Sequence, residues 1–136
     1  MDPEQARDFV RSNHRGVLST FRSDGRPQLS PVTAVIDGAG RVAISTREPA
    51  VKVRNLRRDP RVSLIAFTDA FYGDWVQLDG TAEIIPQPEA LELLVDYYRL
   101  AAGEHPDWDE YRQAMIDQHR VLVRFAVERA GPNVAG

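Results

Sequence analysis

The sequence predicts a six-stranded antiparallel β-barrel, closed or split, with peripheral helices, in the mainly β, α+β class. Three observations lead to this class. Six short apolar segments have the length of strands, turn signals join several of them directly, and helical segments are inserted at only a few points. This order fits a small barrel better than a parallel α/β sheet, in which helices alternate with strands. The 136 residues are sufficient for one domain spanning 1–136.

The first half of the chain is predicted to form one helix and three strands. Asp2 and Pro3 are typical of a helix start, and apolar residues at helical spacing continue towards Asn13. Asp-Gly in the turn SDGR tolerates the positive φ of a tight hairpin. Pro31 indicates an edge strand or a bulge, because proline cannot donate a ladder hydrogen bond. The three strands are GVLSTFR, PQLSPVTAVI and RVAIST.

The second half is predicted to form three helices and three further strands. A short helix spans about Pro49 to Arg58, and two longer helices are separated by Gly103 and Pro106. The tail RAGPNVAG is expected to fray. The longer helices are PEALELLVDYYRLAAG and PDWDEYRQAMIDQ, and the strands are RVSLIAFT, DWVQLDGTAEII and RVLVRFAVE.

Composition excludes several functional classes. The chain has no cysteine, so it contains no disulfide, thiolate metal site or cysteine nucleophile. The three histidines lie in different elements without helical pairing, so no metal site is expected. A net charge of -3 argues against general nucleic-acid binding. The sequence has no long apolar run of the kind found in signal peptides or membrane spans. A cytoplasmic location is therefore expected.

Positive charge is concentrated in STREPAVKVRNLRRDP, residues 45–60, which carries five basic side chains and two acids. It includes Lys52, the only lysine of the chain. At about 100° per residue, Val53 and Leu56 share a buried stripe and Lys52 lies about 40° from Leu56, at its edge. Arg54 and Arg58 fall on the solvated side. The lysine is thus the basic group held closest to the protein body.

Residues beside this helix are suited to an anion. Ser45 and Thr46 end the third strand and lead towards the helix, where free backbone N–H groups and the helix dipole favour negative charge. Two hydroxyls, backbone amides and one cation suit a phosphate. The alternative is that Thr46 merely caps the helix and the arginines form a solvated face. The pattern by itself leaves both interpretations open.

Three aromatic residues, Phe71, Tyr72 and Trp75, cluster before the fifth strand. They are explained either by core packing or by stacking on a planar ring.

Three segments together resemble a known family: GVLSTFRSDGRPQLSPV, ISTREPAVKVRNLRRDPRVSL and WVQLDGTAEI. They are similar to the flavin- and deazaflavin-binding split barrels related to pyridoxamine 5'-phosphate oxidase. The run K-x-x-N-L-x-x-D-P is most similar to the actinobacterial group that uses the deazaflavin coenzyme F-420. The resemblance extends through the late helices and covers nearly the whole chain. It implies a split barrel that forms a homodimer, with cofactor sites at the subunit interface.

The resemblance also implies roles for individual residues. Ser45, Thr46 and Lys52 would hold the phosphate of the cofactor, and Asn55 would orient that loop. Residues along the ring would be Ser30, Pro31 and Val32, with Trp75 and Gln77 completing the pocket. A wider positive field for the acidic tail of coenzyme F-420 would come from Arg54, Arg57, Arg58 and Arg61.

The implied activity is hydride transfer between the deazaflavin and a small enone-like or quinone-like substrate. No acid–base side chain is assigned, because the cofactor carries the chemistry and the protein supplies binding and orientation. The alternatives are an FMN-dependent enzyme of the oxidase type and a non-catalytic deazaflavin carrier. The chain ends in VERAGPNVAG, without the arginine motif that binds the pyridoxal-type substrate in the oxidase, so oxidation of pyridoxamine phosphate is not expected.

Overall fold

The structure is a computed structural model that describes residues 1–132, and these contain four helices and eight strands. The helices are α1 (Pro3–Ser12), α2 (Val51–Arg58), α3 (Ala90–Ala102) and α4 (Trp108–Asp117). The strands are β1 (Arg15–Phe21), β2 (Pro27–Thr33), β3 (Val35–Ile36), β4 (Val42–Arg47), β5 (Arg61–Phe67), β6 (Trp75–Ile85), β7 (Arg120–Phe125) and β8 (Arg129–Ala130).

All strand pairs are antiparallel, in the order β2-β1-β5-β6-β7-β4-β3, with β8 beside β6. Two bent segments turn this path into a split barrel. In β6, residues 75–81 pair with β5 and residues 82–85 pair with β7. The β2–β3 segment turns the other corner, because β2 pairs with β1 and β3 pairs with β4. The predicted antiparallel α+β class is confirmed.

The structure corrects several predicted boundaries. The predicted second strand is interrupted at Ala34, whose N–H donates to the His14 carbonyl at 2.7 Å before the chain joins β4. Helix α2 begins at Val51 rather than at Pro49. Arg129–Ala130, in the tail expected to fray, pairs with Leu78 and Asp79 of β6. The rest of that tail, residues 133–136, lies outside the described residues.

Gly80 allows β6 to bend. A Cβ atom at this position would lie 2.4 Å from the Ala126 carbonyl oxygen and 2.5 Å from Cδ2 of Phe125. The backbone of β6 therefore approaches the end of β7 more closely than any side chain permits. This contact coincides with the point where β6 changes partner from β5 to β7.

The buried apolar residues form two hydrophobic cores. The first fills the barrel interior and includes Leu18, Ile44, Leu64 and Phe125. The second lies outside β3, β4 and β7, where α3 and α4 cover that side of the barrel. The outward side chains of β2, β1, β5 and β6 have no comparable cover, and Leu29 and Ile65 remain 61% and 36% exposed. Helices thus cover one half of the barrel and leave the other half open.

Candidate anion-binding site

A cavity of about 400 Å³ lies where β2, β4, α2, α3, α4 and β7 meet, and we call it the basic cavity. It brings together five residues that the sequence proposed for a cofactor, from β2, β4 and α2. It also contains residues that sequence reasoning missed. Its lining consists of Pro31, Val32, Thr33, Ser45, Thr46, Lys52, Tyr97, Tyr98, Tyr111, Met115 and Arg120.

Strand β4 supplies two hydroxyls that point to opposite sides of the sheet, because successive side chains of a strand alternate. Thr46 is buried on the barrel side, whereas Ser45 is partly exposed on the side that faces α3 and α4. Arg47 follows on the same side as Ser45 and is directly opposite Arg120 of β7. The end of β4 therefore combines hydroxyl groups with a cross-strand pair of arginines.

Lys52 occupies the position that the helical spacing predicted, at the edge of the buried face of α2. It is partly buried between the buried Val53 and the exposed Val51. Within residues 1–132 its ammonium group forms no ion pair with a carboxylate. Burial, and secondarily the positive charge of Arg120, lower the pKa of Lys52. The positive charge of Lys52 is therefore less favourable in the folded protein than in water.

Arg120 is the main site residue that the sequence analysis missed. Its Nε donates to Oε1 of Gln118 at 3.0 Å, and the guanidinium forms no ion pair with a carboxylate of residues 1–132. The cavity wall contains two cations and no carboxylate. Since like charges in a partly buried cavity repel each other, an anion placed between them would lower the free energy of both. The basic cavity is therefore chemically matched to an anionic ligand.

Three tyrosines from the helices form the opposite wall. The Tyr97 hydroxyl donates to the Thr33 carbonyl at 2.8 Å, and the Tyr111 hydroxyl donates to the Leu94 carbonyl at 2.7 Å. Burial raises the pKa of Tyr97, and burial is also the main cause that raises the pKa of Tyr111 to about 12. Both phenols are neutral near pH 7 and serve as uncharged walls rather than as acids.

Strand β2 is an edge strand, as Pro31 indicated. The bond from Arg22 N–H to the Arg26 carbonyl and the pairing register show that even-numbered residues of β2 bond to β1. The main-chain groups of Leu29, Pro31 and Thr33 consequently face the open edge. Of these, the Thr33 carbonyl already accepts from Tyr97, and Pro31 offers a carbonyl oxygen without an N–H.

Ser30 and Asn55 are buried and do not line the basic cavity; they belong to polar contacts that join α2 to the barrel. Nδ2 of Asn55 donates to Oγ1 of Thr20 at 3.1 Å, and the Ser30 hydroxyl donates to Oε1 of Gln28 at 3.2 Å. Arg58 donates to Oδ1 of Asn55 at 2.9 Å and to the Phe21 carbonyl at 3.0 Å. Arg58 is exposed, as expected, but it braces the helix as well.

The arginines expected to create a wide positive field are mostly engaged elsewhere. Arg57 pairs with Glu48, and Arg61 pairs with Asp59 at 2.6 Å. Arg54 is exposed and forms no ion pair within residues 1–132. Three cations without a carboxylate partner within residues 1–132, Arg47, Lys52 and Arg120, lie instead at the ends of β4 and β7 and on the nearby turn of α2. Arg57 and Arg61 are thus partly neutralised within the chain, and the wider positive field stays a prediction.

Trp75 and Gln77 lie on a different surface of the chain. Along the strands, Pro31 is opposite Val17, Val17 is opposite Ile65, and Ile65 is opposite Gln77. Three strand spacings separate Gln77 from Pro31 by about 14 Å. Both residues are on the open outer face of the barrel, outside the lining of the basic cavity.

The aromatic cluster before β6 is not a packed core. Phe71 and Tyr72 are 88% and 80% exposed, so core packing of these two residues was the wrong interpretation. Their rings contact each other edge to face, with centroids 4.4 Å apart. Trp75 is partly buried beside them.

Two further findings concern other site classes. Residues 1–132 contain no group of three or more metal-ligating side chains, and no histidine lines the basic cavity. Over the same residues, no helix combines the length and the apolar character needed to cross a bilayer.

Comparison with known proteins identifies the family. A sequence profile described as "Pyridoxamine 5'-phosphate oxidase" matches residues 2–132, nearly the whole chain. The chain belongs to the pyridoxamine 5'-phosphate oxidase family. This family includes oxidoreductases and binds flavins or related cofactors. The split-barrel resemblance inferred from the three sequence segments is thereby confirmed at the level of the family.

Solved structures with this fold have diverse described functions. A conserved hypothetical protein from Mycobacterium tuberculosis is 32% identical over 96% of this chain and 82% of its own, with a TM-score of 0.78. A heme-binding protein from Mycobacterium smegmatis is 29% identical over 98% of this chain and 54% of its own, with a TM-score of 0.67. An F420 reductase is 20% identical over 96% and 98% of the two chains, with a TM-score of 0.73, and that likeness shows the fold alone.

Proposed function

We propose that this member of the pyridoxamine 5'-phosphate oxidase family binds the deazaflavin coenzyme F-420 and transfers a hydride to a small enone-like or quinone-like substrate. The observation that carries the proposal is the basic cavity, whose wall contains Lys52 and Arg120 and no carboxylate. A phosphodiester and the carboxylates linked to it supply the negative charge that these cations lack.

The residues of the chain have distinct roles in this proposal. Lys52 and Arg120 neutralise the anionic part of the cofactor, and the Ser45 hydroxyl, on the same side of β4 as Arg47, donates to its oxygens beside Thr46. The Pro31 carbonyl, which faces the open edge of β2, accepts from a ring N–H. When bound, the deazaflavin supplies the hydride chemistry. The protein orients the cofactor and partly excludes water from it. Arg54 and Arg57 remain candidates for the outer part of the acidic tail.

FMN is the second candidate cofactor, and a specific observation favours keeping it. The ion pairs of Arg57 with Glu48 and of Arg61 with Asp59 remove part of the surplus charge that argued for a longer acidic ligand. A single phosphate held by Lys52, Arg120 and the Ser45 hydroxyl is compatible with the same cavity. The deazaflavin is preferred because the K-x-x-N-L-x-x-D-P run resembles the group that uses it.

We further propose that the protein is a homodimer whose open barrel faces pack together. The outward side chains of β2, β1, β5 and β6 include the exposed Leu29 and Ile65, and burying them would be favourable. In such a dimer, Trp75 and Gln77 of one subunit complete the site of the other. This assembly would explain why Gln77 lies about 14 Å from Pro31 within one chain.

The decisive experiment is a binding comparison of coenzyme F-420 and FMN on one preparation freed of cofactor. We expect saturable quenching of deazaflavin fluorescence at micromolar or lower concentration, with FMN binding at least tenfold more weakly. A preparation that is purified yellow, or that binds FMN more tightly, would assign the protein to flavin chemistry instead. Tight deazaflavin binding without turnover over a broad panel of enones and quinones would favour the carrier function.

A further inference from the structure

The loop between β5 and β6, residues 68–74, has features that neither packing nor the basic cavity explains. It is closed by a hydrogen bond from the Thr68 N–H to the Asp74 carbonyl at 3.2 Å. Between these residues, Phe71 and Tyr72 project into solvent almost completely. Large aromatic side chains are rarely left exposed together on a surface, because each forgoes the favourable burial of its ring. We call residues 68–74 the aromatic loop.

A separate cavity of about 250 Å³ lies under this loop. Its walls come from the ends of β5 and β6 and from the loop itself, and they contain no charged side chain. Four of its lining side chains are aromatic: Phe67, Phe71, Tyr72 and Trp75. The volume is below the range of roughly 300–1,000 Å³ that holds drug-sized molecules. The cavity thus suits an uncharged molecule of one or two rings.

A buried hydroxyl without a partner within residues 1–132 distinguishes this cavity from a plain apolar one. Oγ1 of Thr68 is buried and has no hydrogen-bond partner among the residues described. The backbone of Gly73 covers it so closely that a Cβ on Gly73 would lie 2.0 Å from this oxygen. A buried hydroxyl without a partner is unfavourable, and a ligand oxygen that reached it would remove that cost.

The backbone of the loop is compatible with movement that would uncover this hydroxyl. Tyr72 has a φ of 61°, in the left-handed region that bulky residues seldom adopt. Gly73 is the next residue, and its N–H donates to the Ala70 carbonyl at 3.0 Å. A small rotation at the Tyr72–Gly73 peptide would relax the left-handed residue and open the Thr68 hydroxyl to the cavity.

We propose that the aromatic loop is a clamp for a planar, uncharged ring that carries a carbonyl oxygen. The ring stacks against Phe71, Tyr72 and Trp75, and the Thr68 hydroxyl donates to its carbonyl. Quinones and cyclic enones have this chemistry. Assigning the clamp to the hydride acceptor rests on the proposed function, whereas the binding of such a ring to the loop does not.

The test uses menadione, a two-ring quinone, and cofactor-free protein carrying Trp108→Phe, so that Trp75 is the sole tryptophan. The chain has no cysteine that the quinone could alkylate. We expect saturable quenching of Trp75 fluorescence. Phe71→Ala should weaken menadione binding about tenfold through lost stacking. Leu100→Ala, which removes an exposed apolar side chain from α3, is the matched control and should leave the affinity within twofold.

The hydroxyl is tested by a pair of substitutions at Thr68. Thr68→Val should weaken menadione binding about fivefold, whereas Thr68→Ser, which keeps the hydroxyl, should retain the affinity within about twofold. Circular dichroism verifies that each variant is folded. Non-saturable quenching, equal affinities of Phe71→Ala and Leu100→Ala, or equal affinities of the two Thr68 variants would overturn the proposal.

Three outcomes separate this inference from a subunit contact and from the proposed function. If light scattering shows that Phe71→Ala dissociates a wild-type dimer into monomers, the loop is a subunit contact and the clamp is wrong. If menadione binds as expected but coenzyme F-420 does not bind, the clamp stands and the proposed function fails. If coenzyme F-420 binds and menadione does not, the proposed cofactor stands and the clamp fails.

Discussion

At the scale of single residues, Lys52 and Arg120 define the site more clearly than the hydroxyls do. Both cations line one cavity, and the charge of Arg120 contributes to the lowered pKa of Lys52. Ser45 and Thr46 could equally belong to an ordinary strand end. A pair of cations without a carboxylate in the same cavity has no comparable structural explanation, because it makes the empty protein less stable.

Lys52→Ala should weaken binding of the deazaflavin by about 10- to 100-fold. A charge-assisted hydrogen bond is worth roughly 1.5–3 kcal/mol, and 1.4 kcal/mol corresponds to a factor of ten. Arg26→Ala is the control, because Arg26 is exposed in the β1–β2 turn and forms no ion pair within residues 1–132. Fluorescence titration should give a change below about twofold for Arg26→Ala. Equal losses in both variants would show that only net charge matters.

The lowered pKa of Lys52 predicts opposite pH dependences for stability and for binding. Between the lowered pKa and the ordinary lysine value, the folded protein binds fewer protons than the unfolded chain. The contribution of Lys52 to the free energy of unfolding therefore rises with pH across this interval, as the buried ammonium loses its proton. Binding of an anion favours the ammonium, so affinity falls as pH rises through the lowered pKa.

This dependence is measurable as deazaflavin affinity in mildly to strongly alkaline buffers. The wild-type affinity should decline at a lower pH than that of Lys52→Arg, since a guanidinium does not titrate in this range. The raised pKa values of Tyr97 and Tyr111 keep these phenols from confusing the comparison at moderate alkalinity. Parallel curves for the two proteins would mean that Lys52 does not contact the anion.

At the scale of elements, α2 is positioned by its buried polar residue as much as by its apolar stripe. Asn55 is 4% exposed and links Thr20 of β1 to Arg58 at the helix end. This network fixes the rotation of the helix and hence the direction in which Lys52 points. Arg58 is consequently a poor control for Lys52, because its loss would disturb the same helix.

The bend of β6 is the second feature that places the site, because it carries the sheet round from β5 to β7. Gly80→Ala should lower the free energy of unfolding by about 1–3 kcal/mol, since the new methyl group would overlap Phe125 and the Ala126 backbone. The matched control is Gly38→Ala, where the Cβ position is open. That change should be neutral or should stabilise by up to about 1 kcal/mol.

Urea unfolding of both glycine variants provides the measurement. A Gly80→Ala protein as stable as the wild type would show that the strand can shift without cost, and that the close approach does not fix the corner.

At the scale of the whole molecule, the unequal covering of the two halves of the barrel predicts association. Leu29→Asp on the open face should convert a dimer into a monomer, because a carboxylate would be buried without a partner. Leu100→Asp, on the exposed side of α3, should remain dimeric. Light scattering distinguishes the 15.3 kDa chain from its dimer. A wild-type mass equal to that of one chain would rule out the proposed assembly.

Local patterns predicted the parts of the site that lie on one element. The position of Lys52 at the edge of a buried stripe followed from helical spacing, and the edge position of β2 followed from Pro31. Arg120 could not be found in this way, because its importance depends on the register that sets it opposite Arg47, 73 positions earlier in the chain. Tyr97, Tyr98 and Tyr111 were missed for a similar reason. They lie on α3 and α4, and no local pattern specifies where these helices pack on the barrel.

The sequence by itself determined the antiparallel class, the approximate elements, the family resemblance and the identity of the basic helix. These depend on periodicity, turn chemistry and short motifs, which act over a few neighbouring residues. Only the tertiary structure decided which arginines are neutralised by acids, which cation shares a cavity with Lys52, and that Phe71 and Tyr72 face solvent. Such properties depend on contacts between distant segments, and these form only when burial of the whole core fixes every element at once.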